Sequence, residues 1–252
     1  MVYREDDSYY LSSLNDGTMM DIAMPGVKED TDSAIVHSMQ GALYYYLHVY
    51  RDAIDEFTSA IEIYMQRPEE QDKLIDLYRQ RAEAYRKLDE HANVVADYTH
   101  ALKLDPQRAH FYCSRGVAYK MLEQYEQALA DYTTAMQVAP TLAEPYYCRG
   151  ILYSVVFKEP EKAITDYSQA LEREPAFAQA YMNRGHDYLS LQLYEQALAD
   201  YSQVIHLQPQ LAVAYYERGA VYKSLGQQEQ AAEDYQRALE LDPALEKLKN
   251  YL

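Results

Sequence analysis

Five arginines of the chain stand at a nearly fixed distance from an aspartate. Arg81 precedes Asp97 by 16 residues, the same offset separates Arg115 from Asp131, Arg184 from Asp200 and Arg218 from Asp234, and Arg149 precedes Asp166 by 17. The first unit of the series has Gln40 and Glu56 in these slots. Arginine presents a planar fork of donors that matches a carboxylate, so each pair reads as an ion pair joining two facing helices. A ladder of arginines open to anions is the competing chemistry. It is disfavoured because each arginine has its own carboxylate. The rest of the reactive inventory is scattered. Seven histidines (His37, His48, His91, His100, His110, His186 and His206) form neither H-E-x-x-H nor an i, i+4 pair. No G-x-S-x-G, phosphate-cradling or dinucleotide fingerprint occurs. Cys113 and Cys148 have no identifiable partner base and are too few for a disulfide framework or a zinc site. These residues predict no catalytic centre, no metal and no cofactor.

The elements that position the pairs repeat. The segment Ala109 to Pro140, AHFYCSRGVAYKMLEQYEQALADYTTAMQVAP, recurs along the chain, and YEQALADY appears verbatim at 125–132 and 194–201. Gly116, Gly150, Gly185 and Gly219 lie 34, 35 and 34 residues apart. Tyr112, Gly116, Tyr119 and Leu122 fall on one helical face, and Ala128, Tyr132, Ala135 and Val138 on another. Glu123 and Gln124 form the turn, and Pro140 stops the second helix for want of an N–H. Small residues at 116, 128 and 135 allow close approach, and tyrosines fill the space between. Nineteen of the 28 tyrosines occupy four recurring slots, which assigns most of them to the core. One hairpin cannot bury its apolar face alone, so a period near 34 predicts a stacked helical solenoid.

The unit resembles the tetratricopeptide repeat. The family's slots of aromatic, Leu-Gly, Tyr, small, aromatic, small and Pro are filled here by Tyr112, Arg115-Gly116, Tyr119, Ala128, Tyr132, Ala135 and Pro140. Tyr stands in the usual Trp slot and Arg in the Leu slot. The resemblance implies an all-α, right-handed superhelical solenoid of about six repeats, at 33–67, 74–107, 108–141, 142–176, 177–210 and 211–244. Repeat one ends irregularly, and Pro68-Glu69-Glu70 predicts an extended first helix for repeat two. Repeat four gains one residue, placed at 157–163, with Pro160 opening its second helix. Residues 1–32 read as an acidic, disordered tail, in which the apolar stretch 19–27 is the segment that could pack on repeat one or lie in the groove. Residues 245–252 read as a short capping helix through Leu245, Leu248 and Leu252.

A chain of 252 residues holds one solenoid and no second large domain. A net charge of −17, from 40 acidic and 23 basic residues, argues against nucleic acid as a partner. No run of 18 apolar residues predicts a membrane span, and the opening MVYREDDSYY lacks the pattern of a secretory signal. A reduced cytoplasmic compartment fits the two cysteines.

The family resemblance implies a concave face lined by the first helix of each repeat, which receives an extended peptide or helix of another protein. The corresponding positions are Asp76, Arg79, Glu83 and Arg86 in repeat two and His110, Cys113, Val117 and Lys120 in repeat three. Repeat four supplies Glu144, Tyr147, Ile151 and Ser154, repeat five Gln179, Met182, Asn183, His186 and Leu189, and repeat six Val213, Tyr216, Ala220 and Lys223. Four bases and three acids make this set near neutral, whatever the net charge of the whole chain. The strip Tyr147, Ile151, Met182, Leu189, Val213 and Tyr216 is what an interface hot spot requires. Relatives that clamp a chaperone's C-terminal carboxylate use Lys and Asn at positions that here hold Ala42, Glu83, Val117, Ile151, His186 and Ala220. Asn183 alone resembles a clamp residue, so that function is not expected. The resulting expectation is a non-catalytic adaptor, with a self-assembling structural protein, joined through its terminal repeats or N-terminal segment, as the alternative.

Overall fold

The computed structural model describes residues 29–246. Those residues form six antiparallel helix pairs. They are α1 (Glu29–Tyr46) with α2 (Tyr50–Tyr64), α3 (Gln71–Lys87) with α4 (His91–Leu104), α5 (Ala109–Met121) with α6 (Tyr125–Val138), α7 (Glu144–Ile151) with α8 (Pro160–Arg173), α9 (Ala178–Ser190) with α10 (Tyr194–Leu207), and α11 (Ala212–Ser224) with α12 (Gln228–Leu241). Each helix packs chiefly on its two neighbours in sequence, as a superhelical solenoid requires. Some first helices of successive repeats also touch, α1 with α3 and α5 with α7, which places them on the inside of the curve.

Each hairpin turns on one residue in the left-handed region: His48, Asp89, Glu123, Lys158, Gln192 and Gly226, with φ between 57° and 75°. Only the last is glycine, so five turns hold a side chain in a conformation that L-residues avoid. The second-helix tyrosines are the pillars of the core. Tyr98, Tyr132, Tyr167 and Tyr201 are each at most 2 % exposed, and burial pushes their phenols above the usual range. They determine the glycines. A Cβ on Gly116 would lie 2.6 Å from the Tyr132 ring, and one on Gly150 2.6 Å from Tyr167. Repeat two carries Ala82 in this slot, and there the Tyr98 hydroxyl donates to Glu83 Oε1 at 2.8 Å.

All five Arg–Asp pairs form as bidentate forks. Arg115 Nε and Nη2 donate to Asp131 Oδ2 and Oδ1 at 2.8 and 2.7 Å, and the other four have the same geometry. The remaining Nη1 reaches back to the preceding repeat. It donates to Thr58, Thr99, Thr133, Ser168 and Ser202 in turn, at 2.8 to 3.4 Å. Each guanidinium also lies 5.5 to 5.9 Å from the ring of a tyrosine three residues before it, four after it, or both. One side chain therefore ties two helices of its own repeat and a third from the repeat before. Gln236 occupies the hydroxyl slot of the last repeat and instead donates to Glu240 at 3.0 Å.

Three details differ from the sequence expectation, and the extended first helix of repeat two is present. Glu56 pairs with His37, at 2.6 Å, and Gln40 is exposed; a histidine one turn earlier in α1 replaces the missing arginine. The extra residue of repeat four lies not in 157–163 but upstream, in a π-helical turn over Leu152–Phe157 that continues α7. Pro160 does open α8. Helix α1 begins at Glu29, so it takes in four residues assigned to the tail. The expected extension before α3 takes the form of a 3-10 turn, Pro68–Glu70, and α3 runs for 17 residues against 13 in α5. The remainder of the acidic tail, with the stretch 19–27, and the capping residues 247–252 lie outside the described residues. No helix is long and apolar enough to cross a membrane among the described residues.

Candidate functional site

Helices α7, α9 and α11 and the turns that lead into them enclose a concave cavity of about 710 Å³. Its apolar wall is Tyr147, Phe177, Met182, Leu211 and Val213. Tyr147 is wedged between Phe177 and Tyr167, with ring centroids 4.6 and 5.9 Å away. Its hydroxyl accepts a hydrogen bond from Asn183 Nδ2 at 3.2 Å. Gln179 and Gln208 add two further amides. The charged lining residues are Glu144 and Glu174, both exposed. The Glu144 carboxylate lies 3.4 Å from His110 Nδ1. Burial and then the Glu144 charge push the Cys148 thiol, on the same wall, up to about 12. That thiol stays protonated at neutral pH and is a poor nucleophile.

Glu144, Tyr147, Gln179, Met182, Asn183 and Val213 thus meet in one cavity. The other expected groove residues do not. Arg79 and Glu83 line a separate cavity of about 150 Å³ with Ala42 and Tyr45. Their charges are matched locally, Arg79 by Asp76 at 3.5 Å and Arg86 by Glu83 at 2.6 Å. Cys113 is fully buried against Ala109 and Ala135, so its side chain faces the core and offers nothing to a ligand. Val117 packs beside Tyr132, and Leu189 beside Tyr201. Ile151, Lys120 and Lys223 are half-buried. Tyr216 packs against Tyr235 with its ring tilted by 52° and centroids 5.4 Å apart, and it does not line the cavity. His186 sits 3.8 Å from Glu217.

Six lining residues are absent from the expected set: Cys148 and Ala178 on the first helices, and Glu174, Phe177, Gln208 and Leu211. The last four come from the turns between repeats, whereas the family resemblance points only to first-helix positions. A signal existed. Leu142, Phe177 and Leu211 each stand two residues after a repeat-ending proline, an apolar residue where a turn should be polar.

One irregularity adjoins this wall. Asp187 occupies a slot that is Ala84, Ala118, Leu152 and Val221 in repeats two, three, four and six and is only 6 % exposed. Ser154, on the π-helical turn, donates to its Oδ1 at 2.7 Å. Its buried Oδ2 has no partner among the described residues. Burial raises its pKa above the ordinary carboxylate value, against the opposing effects of Ser154 and His186.

Comparison with known proteins places the sequence and the fold. Sequence profiles described as tetratricopeptide repeat match residues 75–108, 109–142 and 212–245, and one described as TPR repeat matches 185–226. No curated protein sequence matches the chain. Among solved structures, YrrB, described as a TPR protein with an unusual peptide-binding site, is 24 % identical, with a TM-score of 0.60 over 78 % of this chain and 98 % of that one. MamA from Desulfovibrio magneticus RS-1 is 17 % identical, with a TM-score of 0.61 over 68 % and 96 %. PilW, a type IV pilus biogenesis factor, is 21 % identical, with a TM-score of 0.59 over 66 % and 77 %. At these identities the likeness is one of fold.

Proposed function

This chain belongs to the tetratricopeptide-repeat family, and we propose that it is a non-catalytic adaptor that holds a peptide or helix of another protein in the concave groove of repeats four to six. The observation that carries this reading is the cavity itself. An aromatic and aliphatic wall beside three side-chain amides can take an apolar anchor and hydrogen-bond an extended backbone at once. The peptide-binding site named in the description of YrrB supports the same use of the fold. The two unpaired thiols support a cytoplasmic setting.

Met182 and Val213 test the groove better than Tyr147, whose ring is part of the packing with Phe177 and Tyr167. Peptides selected from a random library on the full chain are expected to lose affinity at least about tenfold for Met182→Glu/Val213→Glu, because a carboxylate buried in an apolar contact is costly. Gln203→Glu, exposed on α10, is the control. Fluorescence anisotropy reads the affinity and circular dichroism the fold. Unchanged affinity in the double variant overturns the groove reading.

A second reading, self-assembly through the first repeat, is favoured by α1. Val36, Met39, Leu43 and Leu47 recur three or four residues apart and are 48, 67, 52 and 54 % exposed. A stripe of this size facing water is unusual in a monomer. Light scattering at two concentrations decides it: a mass that rises with concentration in the wild type but not in Met39→Glu/Leu43→Glu supports the reading, and a monomeric wild type ends it.

A further inference from the structure

We propose that the groove of repeats four to six selects a basic segment, an extended peptide in which a Lys or Arg lies next to an apolar anchor. This rests on the groove reading above and adds the charge of the partner. The distribution of ion pairs carries it. In repeat two every groove carboxylate has its own base, Arg79 on Asp76 and Arg86 on Glu83, so that end of the face is neutral. The cavity of repeats four to six is different. It contains Glu144 and Glu174 and no Lys or Arg among its lining residues. No ion pair engages Glu174 among the described residues, and Glu144 has only the exposed His110, at 3.4 Å. The near neutrality counted over the whole concave face therefore conceals a local excess of negative charge.

Two physical effects make that excess usable. The Glu144 charge reaches the groove wall, where with burial it raises the Cys148 thiol; Lys120, at the margin toward repeat three, acts in the opposite sense. A concave surface with low-dielectric walls focuses such a field onto what enters it. Each acid stands three residues before an aromatic of the apolar wall, Glu144 before Tyr147 and Glu174 before Phe177. An apolar side chain seated on that wall brings its neighbours in the peptide to the carboxylates. The net charge of −17 assists encounter with a basic segment from a distance.

The test pans a random nine-residue peptide library on the full chain and on Glu144→Gln/Glu174→Gln. Both glutamates are exposed, so the variant is expected to fold, and circular dichroism checks it. The expected result is enrichment of Lys or Arg adjacent to an apolar residue. An enriched peptide should bind the variant about tenfold more weakly at low salt, with a smaller salt dependence, as two exposed pairs allow. Enrichment of neutral or acidic peptides, or equal enrichment on the variant, overturns the charge proposal. If the selected peptides still respond to Met182→Glu/Val213→Glu in that case, the groove reading survives. No enrichment on the wild type overturns both.

Discussion

Replacing Arg115 with alanine is expected to lower the stability of the chain by about 3 to 5 kcal/mol, the cost of stranding a buried charge. Asp131 is 5 % exposed, and both of its oxygens are held by that guanidinium, at 2.7 and 2.8 Å. Removing the arginine leaves a carboxylate with no cation in the space between α5 and α6. It also frees the Thr99 hydroxyl, which accepts from Arg115 Nη1 at 3.0 Å, and removes the cation from between Tyr112 and Tyr119. The loss therefore extends beyond one hairpin to the junction with the repeat before. Urea denaturation followed by circular dichroism measures the effect, and hydrogen exchange should show protection lost first in repeats two and three, because solenoids unfold by neighbouring units. Lysine should not rescue, since a point charge cannot span both oxygens and the threonine. Arg115→Met/Asp131→Leu should recover most of the loss, because replacing a buried pair by apolar groups is often neutral or better. An unchanged urea midpoint in the alanine variant would show that the fork contributes nothing.

Asp187→Val is expected to have the opposite sign and to stabilise the chain by about 1 to 4 kcal/mol at neutral pH, as in replacements of buried charge by apolar groups. Valine is what repeat six has in this slot, where Val221 is fully buried. Wild-type Asp187 has one oxygen without a partner among the described residues and one on Ser154. Its folded pKa is raised, so the folded state resists its ionisation. The penalty is absent below the unfolded carboxylate value, grows as pH rises from that value through the raised folded value, and is constant above it. The advantage of the valine variant should accordingly be full at pH 7 and shrink on acidification. Urea midpoints of both proteins across pH 4 to 8 measure this. A valine variant less stable than wild type at pH 7 would mean that the Ser154–Asp187 bond outweighs the burial.

The site itself was less legible in the sequence than the fold. Sequence alone determined the repeat. Period, turn and core followed from one unit, because each slot answers to a nearest neighbour: Gly116 is glycine since Tyr132 presses on it, and Tyr132 is in turn 16 residues away in every copy that shares the register. The Arg–Asp offset was readable for the same reason. Its third partner was written there too, as the Thr or Ser two residues after Glu56, Asp97, Asp131, Asp166 and Asp200, but its meaning depends on which repeat lies behind, and that is a fact of stacking.

Only the tertiary structure decided where the groove is. Residues 35 apart in sequence, such as Tyr147 and Met182, meet because successive hairpins are rotated by a fixed amount, and the turns between them bring in Phe177 and Leu211, which no helical pattern contains. The same rotation buried Cys113, turned Tyr216 onto Tyr235 and left Glu144 and Glu174 without a Lys or Arg partner among the described residues. Local periodicity fixes which face of a helix is apolar. It does not fix how much of that face a neighbour covers, because coverage depends on the sum of small rotations along the stack and on details such as the π-helical turn that absorbs one extra residue in repeat four.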